Sequence, residues 1–161
     1  MARILVADDD RLVLFTVASG LRESGFEVIE AFSGAEALDL CHIEPIPDLA
    51  LLDIRMPGMD GLELAHTLRT QTSVPFVFLT AYSDLALVNR AVEIGAVGYL
   101  VKPIDVDAIL PTLRTAIARS DEIRGARRAL QSNRTIATAV GMLMSKKSCD
   151  QTTAEGHLRT L

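Results

Sequence analysis

The sequence predicts an α/β protein: a five-stranded parallel sheet, doubly wound by helices and followed by a C-terminal helical extension. Three observations carry this. Five short apolar runs each give way to a helix-like pattern. The runs are apolar on both faces rather than alternating, as expected of strands covered on both sides. Four of the five also end at carboxylates, a hydroxyl or an ammonium, so one rim of the sheet collects chemistry.

The first strand is residues 4–7 (ILVA), which stops at Asp8, Asp9 and Asp10. Leu12, Phe15, Ala18 and Leu21 then follow a helical stripe, with Gly25 as the stop signal. Residues 27–30 (EVIE) form a second strand, and Ser33, Gly34 and Glu36 open a helix carrying Ala37, Leu38 and Cys41. Pro45 and Pro47 break the chain before the third strand, residues 48–54 (DLALLDI). The loop MPGMDG leads into a helix bearing Leu62, Leu64, Ala65 and Leu68. Residues 75–80 (PFVFLT) are the fourth strand. A helix marked by Leu85, Val88, Ala91 and Val92 ends at Gly95, and residues 98–101 (GYLV) are the fifth strand. Asp105 is placed to cap a last helix from Val106. Pro111 lies past the free first turn of that helix, so a kink or a delayed start is expected.

The chain has 161 residues, enough for one domain of ordinary size plus an appendage, here residues 1–120 and 121–161. Residues 1–120 carry 9 Lys/Arg and 17 Asp/Glu, whereas residues 121–161 carry 7 and 4, an acidic body with a basic tail. The N-terminus has no charged-then-apolar signal pattern, and no stretch approaches the length of a membrane span. Cys41 and Cys149 make no disulfide framework or metal spacing. A soluble, cytoplasmic protein is expected.

Ligands of such sheets bind outside the carboxyl ends of the strands. There the sequence places Asp8, Asp9 and Asp10 after strand one, Asp53 near the end of strand three, Thr80 at the end of strand four and Lys102 after strand five. Converging carboxylates need an offsetting charge. Mg2+ suits oxygen ligands and shares its shell with a phosphate oxygen. Lys102 and Thr80 are suited to further phosphate oxygens, and Asp53 to nucleophilic attack giving an acyl phosphate.

The motifs DDD, LLDIRMPGMDG, LTA and GYLVKP, in this order, resemble the receiver domain of two-component response regulators over residues 3–120. The resemblance implies a flavodoxin-like receiver fold and a sensor histidine kinase as phosphodonor. It implies Asp53 as phosphoacceptor, and Asp8 and Asp9 as the acid pair that organises Mg2+, Asp9 directly and Asp8 partly through water. The backbone carbonyl of Arg55 matches a further metal ligand. Thr80 and Lys102 match the phosphate-sensing hydroxyl and ammonium, and Tyr99 the aromatic that changes rotamer when Thr80 moves. The Lys102–Pro103 bond is cis in the family. Asp10 is not one of the two family acids and reads as solvent-facing or as a charge favouring the helix after it. Arg55 and Tyr82, two residues after Asp53 and Thr80, occupy places that tune loss of the phosphoryl group; their bulk is expected to screen it, which an Arg55→Ala, Tyr82→Ala double variant tests. Met56 and Met59 read as packing beside a turn built on Pro57 and Gly58.

Beyond Asp105 no glycine-rich linker intervenes. Ala116, Ser120, Ile123, Arg127, Leu130 and Ala137 give a weak heptad seam, so a continuous, dimerising helix is expected. Ile136, Val140, Leu143 and Met144 form an apolar stripe before SKKSCDQ, and residues 152–155 (TTAE) are a capping box ahead of Leu158 and Leu161. The segment RTIATAVGMLMSKKSCDQTTAEGHLR resembles the ANTAR output domain of transcription antitermination regulators at Ala139, Gly141, Leu143, Met144, Ala154, Leu158 and Arg159. About half of that three-helix module is matched, the third helix being expected from a partner chain or from sequence beyond this chain. The resemblance implies a homodimer that binds paired RNA leader hairpins, dimerising on phosphorylation through the face of helix four, strand five and helix five. Lys146, Lys147 and Arg159 are the candidate phosphate contacts, ahead of Arg134. Residues 121–161 contain no Phe, Tyr or Trp, so recognition by stacking on those rings is excluded.

The competing readings are a receiver acting through protein interaction alone and a DNA-binding response regulator, for which the tail shows no helix-turn-helix. An independent Asp-nucleophile phosphatase is disfavoured because Arg55 stands where a second acid belongs, and a dinucleotide enzyme because no glycine fingerprint follows strand one.

Overall fold

The computed structural model describes the backbone of residues 1–147, and side chains as far as Leu130 except those of Tyr82, Ser83, Leu85, Arg124, Arg127 and Arg128. The elements run β1 (Arg3–Ala7), α1 (Arg11–Glu23), β2 (Glu27–Ala31), α2 (Gly34–Leu40), β3 (Leu49–Asp53), α3 (Gly61–Gln71), β4 (Phe76–Thr80), a 3-10 turn (Tyr82–Leu87), α4 (Val88–Ile94), β5 (Gly98–Val101) and α5 (Val106–Lys147). All strand pairs are parallel, in the order β2-β1-β3-β4-β5. This is the doubly wound, flavodoxin-like fold. The direction of winding reverses between β1 and β3, which leaves a crevice at their carboxyl ends.

The sheet is apolar on both faces because both are covered. On one face Leu5, Leu52, Phe76 and Phe78 pack with Leu64 and Leu68 of α3. On the other, Ile4, Val6, Leu51 and Leu79 pack with Leu14, Val17 and Leu21 of α1 and Leu113 of α5. Each fully buried leucine contributes about 2 kcal/mol of transfer free energy. Cys41 lies in the first cluster, and burial pushes its thiol up to about 11.

Helix starts follow local chemistry. Asp10 caps α1 by accepting from the N–H groups of Leu12 and Val13, at 2.9 and 3.3 Å. Ser33 caps α2 through Glu36 N–H, and Asp60 caps α3 through Glu63 N–H. Gly61 is the first residue of α3, and an added Cβ there meets the Asp53 carbonyl and the Cα of Ile54. Only glycine lets α3 begin this close to the end of β3.

Several expectations need correction. The buried face of α1 is Leu14, Val17, Ala18 and Leu21, while Leu12 and Phe15 are exposed. Both sets satisfy helical spacing, and the position of the sheet decides between them. The helix expected around Leu85 begins only at Val88, after the 3-10 turn, and Val92 is exposed. The start of α5 is not delayed by Pro111. Pro111 and Asp107 both lie on the exposed side, where the carbonyl that proline leaves without an N–H partner is open to water.

The chain forms two compact units, Met1–Ser120 and Asp121–Leu161. In the first, Ala116 is part of the core and Ser120 is buried, so the first two positions of the expected seam are already occupied. In the second, Ile123 and Leu130 are exposed on α5. The side chains of Arg127 and Ala137, the stripe from Ile136 to Met144, Arg134, Lys146 and Lys147 lie outside the described residues, as do Cys149, the capping box and Arg159.

Candidate functional site

The crevice at the ends of β1 and β3 is built from four strand ends. Asp8 follows β1 and is wholly buried. Its Oδ1 accepts from the Asp10 N–H at 2.9 Å, and its Oδ2 lies 2.8 Å from Lys102 Nζ. The same ammonium is 3.2 Å from Asp53 Oδ1. Asp53 is the last residue of β3 and is buried, whereas Asp9 is exposed at the rim. Carboxylate oxygens of Asp8, Asp9 and Asp53 all lie within 4.8 Å of one another.

Three carboxylates at this spacing repel one another, and one ammonium only partly compensates. Burial and then the charge of Asp8 push Asp53 up to about 6, against the lowering influence of Lys102. Burial by itself would lower Lys102, but the hydrogen bond to Asp8 and the charges of Asp53 and Asp8 raise it on balance. An oxygen-ligated divalent cation is the natural complement to such a set, and the donors present fit Mg2+.

Thr80 ends β4 and is wholly buried. It stands one residue beyond Leu79, the ladder partner of Asp53. Its hydroxyl donates to the Ala81 carbonyl at 3.1 Å. Tyr99 is opposite Phe78 on the edge strand β5 and is 45% exposed. The Lys102–Pro103 peptide is cis, as is Glu44–Pro45.

The loop after β3 carries Arg55, whose side chain points out to solvent. Its Nε and Nη2 both reach Asp84 Oδ1, at 2.8 and 2.7 Å. Asp84 is buried in the 3-10 turn after β4, and its N–H donates to the Ala81 carbonyl. The bond from Arg55 holds the Asp84 carboxyl below the usual carboxylate range. Nothing in the sequence points to this partner beyond an acid four residues after Thr80. The screening expected of Arg55 and Tyr82 therefore divides: Arg55 is engaged with Asp84, and the side chain of Tyr82 lies outside the described residues.

Arg55 and Asp9 also line a groove of about 560 Å3 that runs past Met56, Pro57 and Leu87 to Arg90. Among the described residues no helix is long and apolar enough to cross a membrane.

Residues 4–114 match the model of the response regulator receiver domain. The chain is 36% identical over 159 residues to the transcriptional regulatory protein PdtaR of Mycobacterium tuberculosis, covering 98% of this chain and 73% of that one. It is 37% identical over 120 residues to the DNA-binding response regulator MtrA of Mycobacterium leprae, covering 74% of this chain and 53% of that one. Among solved structures, a response regulator receiver domain protein from Clostridium thermocellum aligns at a TM-score of 0.70 and 28% identity, covering 76% of this chain and 99% of that one. A family match to most of the chain, the shared fold of a solved receiver domain and acids gathered at the reversal of winding agree: the chain belongs to the response regulator receiver family.

Proposed function

We propose that the chain is a phosphorylation-controlled regulator of transcription that accepts a phosphoryl group on Asp53 from a sensor histidine kinase. The observation that carries this is the convergence of Asp8, Asp9, Asp53 and Lys102 on one point at the strand ends. Asp53 is the central carboxylate, with one oxygen already oriented by Lys102. That carboxylate attacks phosphorus, the phosphorus–nitrogen bond of the donor phosphohistidine breaks, and the imidazole nitrogen keeps the electron pair. Lys102 holds a transferred oxygen, and the Thr80 hydroxyl exchanges the Ala81 carbonyl for another. Tyr99 follows Thr80 in the switch. Asp8, Asp9, Asp53 and the Arg55 carbonyl would hold Mg2+, which supplies neutralisation of phosphoryl charge. Water attack at phosphorus later regenerates the carboxylate and releases phosphate.

For the output, the similarity to a transcriptional regulatory protein extends over 98% of this chain, past the end of the receiver match at residue 114. That extent supports an output carried by residues 121–161, which we read as ANTAR-type, with homodimers binding RNA hairpins through Lys146, Lys147 and Arg159. The similarity to the DNA-binding regulator spans only 120 residues and lends no comparable support to a DNA-binding tail.

Incubation with phosphoramidate and Mg2+, followed by intact-mass measurement, tests the first half. The wild type gains one phosphoryl group, and Asp53→Asn gains none. Gel-shift titration with hairpin RNA across a salt series tests the second. Affinity that rises on phosphorylation and falls steeply with salt is expected, and no binding at low salt returns the tail to protein interaction.

A further inference from the structure

We propose that Arg55 is a phosphoryl-binding residue held in reserve by Asp84: the guanidinium leaves the Asp84 carboxylate for the phosphoryl oxygens once Asp53 is modified. The inference rests on Asp53 being the phosphoacceptor. Four observations support it. Arg55 is two residues from Asp53, on the loop that leaves the site. Its guanidinium forks both Nε and Nη2 onto a single oxygen of Asp84, a hydrogen-bonded partner of one negative charge. The arginine side chain is 71% exposed while that of Asp84 is 9% exposed, so the arginine is the member free to move. Finally, it borders the groove shared with Asp9, which gives it room on the side of the acids.

A phosphoryl group is a better competitor than Asp84. It brings up to two negative charges and three acceptor oxygens, and arginine binds such oxygens through two parallel N–H bonds. The exchange has consequences at both ends. At Asp53, the guanidinium adds a second cation beside Lys102 and covers the phosphorus from water. At Asp84, departure of the arginine removes the forked hydrogen bonds that hold the carboxylate, which loosens the turn that directly follows Thr80. The Thr80 hydroxyl and the Asp84 N–H both donate to the Ala81 carbonyl in the resting chain. Loosening this turn therefore helps to free Thr80 for the phosphoryl group. The pair ties the loop after β3 to the turn after β4 and makes that tie sensitive to the state of Asp53.

The test is the lifetime of the phosphoryl group, followed by intact mass after removal of phosphoramidate, in wild type, Asp84→Asn, Arg55→Ala and the double variant. Asp84→Asn releases the guanidinium and lengthens the lifetime about threefold to tenfold. Arg55→Ala shortens it by a similar factor. In the Arg55→Ala background Asp84→Asn has no further effect, an outcome that general loosening of the turn does not produce. Arg55→Lys recovers part of the lifetime, because it restores charge without the fork. Effects of the two substitutions that simply add, or lifetimes that do not move, overturn the exchange. Should Asp84→Asn not fold, the wild type serves: the Arg55 Nε–H resonance shifts on titration with beryllofluoride and Mg2+, and an unmoved resonance overturns the exchange equally. A wild type that gains no phosphoryl group overturns the phosphoacceptor reading, and this inference with it, whatever the variants do.

Discussion

Lys102 Nζ stands 2.8 Å from Asp8 Oδ2 and 3.2 Å from Asp53 Oδ1, so one ammonium ties together the ends of β1 and β3 from its place just after β5. Removing it leaves two buried carboxylates without a cation. Lys102→Met is expected to cost about 3 kcal/mol in urea unfolding at pH 7 without Mg2+. Without its ammonium, Asp53 binds a proton still more readily in the folded chain. The deficit therefore narrows as pH falls below 7, and a deficit that stays constant down to pH 5 contradicts this account.

Asp53 itself is a source of instability. Its carboxyl is raised from 3.8 to about 6, so between those values the folded chain binds more protons than the unfolded one. Its unfavourable contribution is fully present above about pH 6 and fades as pH falls toward the unfolded value. Asp53→Asn should therefore be more stable than wild type at pH 7.5 by roughly 1–3 kcal/mol, with the gain shrinking toward pH 4. Paired thermal melts in Mg2+-free buffer across that range decide the matter.

Mg2+ should stabilise the wild type, because the unfolded chain does not gather the three acids. At about 100 times its dissociation constant the gain is about 2.7 kcal/mol, and a chelator reverses it. Asp9→Asn removes the exposed carboxylate of the proposed Mg2+ site without touching the buried pair. It should abolish most of the Mg2+-dependent rise in melting temperature while leaving the metal-free melt nearly unchanged. An undiminished rise places the metal elsewhere.

Gly61→Ala drives a Cβ into the Asp53 carbonyl and the Ile54 Cα, both backbone atoms that cannot rotate away. Crowding of this kind costs about 1–3 kcal/mol. Because the displaced backbone is that of Asp53, uptake of the phosphoryl group should fall alongside stability. A folded variant with full uptake, seen by intact mass, removes Gly61 from the support of the site.

Asp10 contributes as a cap rather than as a metal ligand. Asp10→Ala is expected to lose about 1 kcal/mol, and Asp10→Asn nearly nothing, in denaturant titrations. A loss of Mg2+ response in Asp10→Asn would count against this division of the three consecutive acids.

Much of this arrangement was legible in the chain. Strand ends announce themselves because an apolar run can stop at a carboxylate or an ammonium only where solvent or a ligand receives it. Hence the sequence alone points to Asp8, Asp53, Thr80 and Lys102 as strand-end groups, and the structure places each of them at a strand end. Local pattern was weaker where two solutions fit it equally: Leu12 and Phe15 satisfy helical spacing on α1 as well as Leu14, Val17 and Leu21 do, and only the sheet distinguishes them. Ala116 fitted a heptad seam, yet it is consumed by the core. The Arg55–Asp84 pair was not legible at all. Its partners are 29 residues apart and belong to different loops, and no periodicity joins them.

The tie between Lys102 and Asp8 spans 94 positions of chain, with Asp53 between them. Without the fifth strand in place, the three acids at the ends of β1 and β3 have no ammonium beside them. The Lys102 tie therefore exists only where β1, β3 and β5 are all in place, so closing the crevice takes the whole sheet and not its first three strands alone.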